Sequence, residues 1–168
     1  MGLFSKLLKK EKLEELINID DNDIVAIADG QLIDIKTISD PVFAQEMMGK
    51  SVAFRFNKDK ITLCSPANGV LSVLFPTGHA FGVVAGDGVE IFVHCGINTV
   101  ESNGDGFKKL KKKQGDKVIA GEPIVEVDIN KLEKKYDMAT MLIVTNMQER
   151  SFDFISPTIV KRGQSLIK

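Results

Sequence analysis

Only two histidines occur among the 168 residues, and both stand in apolar surroundings: His79 within FPTGHAF and His94 within GVEIFVHCGINTV. An imidazole titrates close to neutrality, so it can ligate a metal, move a proton or act as a neutral nucleophile. Two short alternating segments, HAFGVV and VEIFVH, are joined by Ala85-Gly86-Asp87-Gly88. This pattern predicts a hairpin with a two-residue turn at Gly86-Asp87, a pair suited to positive φ. In that register His79 faces His94, Phe81 faces Phe92 and Val83 faces Glu90, with opposed Cβ atoms about 4.5–5.5 Å apart. Alternation then puts Ala80, Gly82, Val84, Val89, Ile91, Val93 and Cys95 on the core face. His79, Phe81, Val83, Glu90, Phe92 and His94 share the other face, and a surface of that kind docks partners.

Three chemistries compete for such a pair: a metal site, acid–base hydrolysis and phosphoryl acceptance. A catalytic zinc wants three protein ligands and an open position, and neither HExxH nor HxH occurs. Cys95 adjoins His94, but alternation turns it into the core, where it reads as structural. There is no GxxxxGK[ST] loop for a nucleotide, and the Gly-x-Gly stretches at Gly86 and Gly104 are turn signals. A biotin or lipoyl carrier needs an MKM turn; the nearest approach, Glu46-Met-Met-Gly-Lys50, falls in an expected helix. Phosphoryl acceptance asks only for a neutral nitrogen and donors around the phosphate.

These side chains must be positioned by a chain rich in short strands. SVAFRF, KITLC, GVLSVLF, HAFGVV, VEIFVHC, KVIA, PIVEVD, TMLIVTN and TIVKRGQSLIK all read as strands, and IVAIADGQLIDI as a hairpin about Asp29-Gly30. DPVFAQEMMG, with Asp40 as N-cap and Pro41 at the first helical position, reads as a short helix, and DINKLEKKYD as a second. The expected fold is all-β: an antiparallel β-sandwich or barrel-sandwich with one or two short helices and an N-terminal amphipathic segment. Val118 to Ile124 and Val160 to Leu166 share V-x-x-G-x-x-[IL], an echo that similar turns alone could also produce.

Residues 1–23 are expected to form the amphipathic segment and an acidic linker, and 24–168 the compact domain. Leu3, Phe4, Leu7 and Leu8 supply the apolar face of that segment, and Lys6, Lys9 and Lys10 a basic one. A net charge of −1 argues against a general nucleic-acid role. Phe107 to Lys113, with its lysines, reads as a solvated edge strand. Two cysteines, Cys64 and Cys95, are too few for a disulfide scaffold and point to a reducing compartment. No run reaches the roughly 20 apolar residues that cross a bilayer.

Beyond these readings, the chain resembles the glucose-type enzyme IIA family of the bacterial phosphoenolpyruvate-dependent sugar phosphotransferase system. The resemblance runs from MGLFSKL through PVFAQEMMGKSVAF, CSPANGVL and FPTGHAF to GVEIFVHCGINTVESNGDGF, GDKVIAGEPIVEVD and TNM. It implies a β-sandwich with a shallow apolar depression around the histidines. It implies that His94 accepts a phosphoryl group from the carrier protein HPr and passes it to a cysteine on the IIB domain of a IIB/IIC sugar permease. By the same resemblance His79 supports the phosphate, and Thr77 hydrogen-bonds and orients the active-site histidine. Phe43, Phe75, Phe81 and Phe92 match positions lining the depression, and Asp40, Asn98 and Val100 match docking positions. Asn98 replaces a family aspartate that meets a basic residue of HPr, and Cys95 replaces a bulky apolar residue. No cofactor is required, although the family allows a zinc held by His79, His94 and a partner carboxylate. The alternative is a regulatory module of this fold that controls permeases or kinases according to its phosphorylation state. A cytoplasmic location follows, with weak contact at the inner face of the membrane through the N-terminal segment.

Overall fold

A computed structural model of the protein describes residues 2–7 and 18–168. Two antiparallel sheets enclose the core. The larger has eight strands in the order β11-β1-β2-β10-β6-β5-β4-β8, and the smaller three in the order β3-β9-β7. In chain order the strands are β1 (Gly30–Ile33), β2 (Lys50–Arg55), β3 (Lys60–Cys64), β4 (Gly69–Leu74), β5 (Ala80–Ala85), β6 (Glu90–Cys95), β7 (Phe107–Lys109), β8 (Lys117–Val118), β9 (Pro123–Asp128), β10 (Thr140–Asn146) and β11 (Ile159–Val160). Alternation in β6 and β9 sends Ile91, Val93, Val125 and Val127 inward, where they meet Leu63, Leu71 and Phe81. The fold is the β-rich antiparallel one expected, with the long sheet curled around the core.

Helix α1 (Pro41–Ala44) begins where anticipated: the Asp40 carboxylate accepts from Val42 N at 2.8 Å, and Pro41 gives up no needed donor. Together with a 3-10 turn at Ile35–Thr37 it covers the outer face of the large sheet, over Ala53, Met141 and Ile143. Helix α2 (Ile129–Leu132) is capped by Asp128. The lysine-rich β7 lies at the edge of the small sheet.

The hairpin expected at Asp29-Gly30 does not form. Ile24, Val25, Ala26 and Ile27 are each fully buried, so this run has no solvent face and threads through the interior. Its backbone bonds alternate between two segments: Val25 N donates to Pro66 O and Ala26 N to Gln164 O, each at 2.8 Å.

The V-x-x-G-x-x-[IL] echo is a true structural repeat. Gly121 and Gly163 adopt φ of 83° and 84°, where a side chain would be strained. Gly121 N donates to Ser65 O at 2.8 Å and Gly163 N to Ala26 O at 2.9 Å. Ala120 N bonds the Asn68 side chain and Arg162 N the Asp29 side chain, both at 2.8 Å. The large sheet carries the same pseudo-twofold relation, with β11-β1-β2-β10 answered by β8-β4-β5-β6.

The N-terminal residues 3–7 are helical, with Leu3, Phe4 and Leu7 exposed. The rest of the expected amphipathic segment, 8–17 together with Met1, lies outside the described residues. Among the described residues no helix is long and apolar enough to cross a membrane.

Candidate functional site

The β5–β6 hairpin differs from expectation by one residue. His94 pairs with Ala80, Phe92 with Gly82, and Glu90 with Val84. The loop holds three residues, not two: Ala85 N donates to Val89 O, and Gly88, at φ 88°, closes the turn in the left-handed region. A slip of one residue inverts the faces of a strand. The faces of β6 stay as expected, but those of β5 reverse. Phe81 is fully buried in the core with Val83 and Ala85, so its expected place in the apolar depression is corrected.

The histidines still meet. His94 projects outward from β6 opposite Ala80, whose methyl leaves room above it. His79 sits outside β5, just after Gly78, whose φ of 77° turns the chain. The two rings lie 5.2 Å apart at 82°. Phenylalanines collar them: Phe75 is 5.1 Å from His79, and Phe43 and Phe92 are 5.2 and 6.4 Å from His94. Phe43 arrives on α1, so the Asp40 cap and Pro41 set the position of that wall.

Hydrogen bonds define which nitrogens are free. His94 Nδ1 lies 2.8 Å from Gly96 O, and a carbonyl only accepts, so Nδ1 carries the hydrogen and Nε2 keeps its lone pair. Thr77 Oγ1 shares a 2.5 Å hydrogen bond with Nδ1 of His79. The threonine therefore orients His79, its near neighbour, and the Gly96 carbonyl orients His94.

Both rings are neutral near pH 7. Desolvation, then the proximity of His94, lowers the pKa of His79 to about 4. Desolvation also lowers that of His94, against smaller raising effects from the Gly96 carbonyl and Asp40. Cys95 is fully buried, and burial pushes its thiol up to about 12, so it is inert beside the site. Among the described residues no three His, Cys, Asp or Glu side chains cluster to hold a metal.

Residues 22–150 match the family described as phosphoenolpyruvate-dependent sugar phosphotransferase system, EIIA 1. The chain belongs to that family. It is 35% identical over 170 residues to the glucose-specific EIIA component of the sugar phosphotransferase system (PTS) of Haemophilus influenzae, covering 99% of this chain and 97% of that one. The glucose-specific EIIA component of Buchnera aphidicola is 32% identical at the same coverage. A glucose-specific EIICBA component of Staphylococcus carnosus is 33% identical over 139 residues, and there the chain spans 20% of the relative's length. Among solved structures, the glucose permease IIA from Mycoplasma capricolum matches with a TM-score of 0.80 and 32% identity, over 86% of this chain and 93% of that one. As an EIIA protein the chain is a phosphotransferase-system component that relays phosphate through a histidine and works with a sugar permease.

The remaining expected residues of this EIIA chain fall at or near the rim. Asn98 and Val100 are exposed, Val100 to 50%, and Asp40 is half-buried. Asn98 takes the left-handed φ of 60°, a conformation that asparagine tolerates. Val42, Met47 and Met48 are also exposed on and just after α1, and they widen the apolar surface beyond what the sequence reading included. Two contributors were missed. Phe107 packs 6.4 Å from His79, although its lysine-rich neighbourhood read as solvated edge. The Gly96 carbonyl carries no side-chain signal; a glycine two residues past a histidine was the only clue.

Proposed function

We propose that His94 is the phosphoryl acceptor and that its Nε2 attacks phosphorus in phospho-HPr. The N–P bond to His94 forms as the bond between phosphorus and its carrier atom on HPr breaks, the electron pair leaving with HPr. Nδ1 keeps its hydrogen throughout, and the Gly96 carbonyl stabilises the positive charge that develops on the ring. His79, neutral with the Thr77 hydroxyl donating to Nδ1, presents Nε2–H to the phosphoryl oxygens. The group then passes to the IIB domain of a permease, and the names of the curated relatives favour a glucose-type one. The observation that carries this reading is the pair of neutral imidazoles, 5.2 Å apart, with both Nδ1 atoms engaged.

Phe43, Phe75 and Phe92 form the dry wall that keeps water from the phosphohistidine, and Asp40, Asn98 and Val100 serve HPr and IIB docking. The test is incubation with labelled phosphoenolpyruvate, enzyme I and HPr, followed by mapping of acid-labile phosphate. Label on His94 supports the assignment, and label on His79 overturns it.

Zinc binding by both Nε2 atoms would need His79 in its other tautomer, with Nδ1–H donating to Thr77 Oγ1, and the remaining ligands would come from a partner carboxylate and water. The chain alone should therefore bind zinc weakly. The protein acts in the cytoplasm, and the exposed Leu3, Phe4 and Leu7 beside Lys6 support a weak peripheral contact with an anionic membrane. No feature of the site favours a purely regulatory module over the relay.

A further inference from the structure

The peptide unit that orients His94 is gripped from its far side. Its carbonyl, Gly96 O, accepts from His94 Nδ1 at 2.8 Å, and its N–H, that of Ile97, donates to Asp137 O, also at 2.8 Å. In a trans peptide the N–H and C=O point in opposite directions, so fixing one aims the other. The two bonds also lie in series: polarising the peptide at Ile97 makes the Gly96 oxygen a better acceptor for the imidazole.

Asp137 holds its own carbonyl in place with its side chain. Arg55 Nη1 donates to Oδ1 at 2.7 Å and Ala139 N to the same oxygen at 3.0 Å, while Ser39 Oγ donates to Oδ2 at 3.4 Å. Gly96 N bonds Ala139 O at 3.0 Å, so the glycine that orients His94 is tied to the same short segment. The Arg55 guanidinium keeps the Asp137 carboxyl below its ordinary pKa, so the side chain is a carboxylate at neutral pH. Ser39 immediately precedes Asp40, the cap of the helix that carries Phe43 to within 5.2 Å of His94.

We propose that Asp137 is a positioning residue for the phosphoryl acceptor: its main chain locks the His94 tautomer, and its carboxylate ties that lock to Arg55 on β2 and to the docking loop at Ser39-Asp40. The inference rests on reading His94 as the acceptor, but its main test needs no phosphoryl donor. The full chain is labelled with 15N at histidine, and the ring tautomers are read from long-range proton–nitrogen correlations.

In the parent protein His94 shows a protonated Nδ1 and a bare Nε2. Asp137→Ala should raise the minor Nε2–H tautomer of His94 about tenfold while leaving the His79 signals in place. Phosphate uptake should fall about tenfold in parallel, in line with the sensitivity of transfer to misplacement of a reacting group. Asp137→Asn, which keeps an oxygen acceptor for Ala139 N, should fall between parent and alanine variant. A purely structural role would lower the melting temperature without moving the tautomer ratio. Unchanged His94 tautomers in folded Asp137→Ala overturn the proposal. If that variant does not fold, unchanged tautomers in both Asp137→Asn and Arg55→Gln overturn it equally. Should phosphate map elsewhere than His94, the tautomer comparison still decides whether Asp137 positions the ring.

Discussion

His94 Nδ1 donates to the carbonyl oxygen of Gly96, two residues further along the chain, at 2.8 Å. A carboxylate in that place would draw a proton toward the imidazole and raise its pKa, leaving the ring charged and non-nucleophilic over part of the neutral range. A neutral carbonyl fixes the tautomer with a much weaker pull. The site thus gains a defined nucleophilic nitrogen while desolvation keeps the ring unprotonated.

Gly96 should resist substitution for two separate reasons. Its φ is 80°, and a Cβ built there would stand 2.4 Å from Thr99 Cγ2. Gly96→Ala is expected to cost about 1–3 kcal/mol of stability through backbone strain alone, and to slow phosphate uptake because the carbonyl must shift. Urea unfolding and uptake from phospho-HPr, measured side by side, check this. Parent-like values for both would contradict the geometry.

The two histidines should separate by step. His94→Ala should remain folded and take up no label. His79→Gln should still be labelled at His94 but pass the group on ~10²–10³ more slowly, the usual loss for one preorganised donor. Single-turnover kinetics with a IIB domain measure the second step, and an unimpaired His79→Gln would remove His79 from the mechanism.

Acid should affect stability before chemistry. His79 has its pKa lowered from 6.5 to about 4 in the folded protein, so between those values the unfolded chain binds more protons. Stability therefore rises with pH across that window and is progressively lost as pH falls through it, with a slope of at most ~1.4 kcal/mol per pH unit from this one group. The lowered pKa of His94 adds in the same direction. Uptake of phosphate should be level from about pH 8 down to about pH 6.5, the ordinary histidine pKa. Between about pH 6.5 and about pH 4.5 the denaturation midpoint of the parent should fall more steeply than that of His79→Gln, and parallel declines would show that His79 is not the linked group.

Two phenylalanines should behave oppositely. Phe81 is fully buried between the sheets, so Phe81→Ala is expected to cost about 3–5 kcal/mol while the surviving folded fraction transfers phosphate normally. Phe75, half-buried 5.1 Å from His79, should cost less stability when truncated and should shorten the lifetime of the phosphohistidine. Equal stability losses would mean that the β5 faces are assigned wrongly.

That contrast marks where the sequence stopped being legible. Alternation in VEIFVHC placed β6 correctly, and Asp40-Pro41 placed α1, because each signal is local. The strand faces of HAFGVV depended on loop length, and whether Gly88 belonged to the turn or to the strand is settled by a backbone angle that composition does not reveal. The run IVAIADG failed similarly: Asp-Gly is a sound hairpin cue, but four consecutive buried residues left no exposed face for a hairpin to present. His79 and His94 met despite the wrong register, since a residue just outside a strand can lean where pairing would not place it. Phe107 and Asp137 escaped notice because their roles depend on contacts with chain segments far away in sequence.

The pseudo-twofold relation in the large sheet also has a counterpart for the site. Under it, the Gly78-His79 corner corresponds to Gly49-Lys50, and His94 on β6 to Ile143 on β10. The second corner is shut: Lys50 Nζ bonds Asp153 and the carbonyl of Phe152, and Ile143 is buried beneath the helical cover. The fold builds the same platform twice and leaves one of them bare. A molecule with a near-symmetric frame thus has a polarity, one reactive end and one sealed end, and donor and recipient must take turns at a single berth.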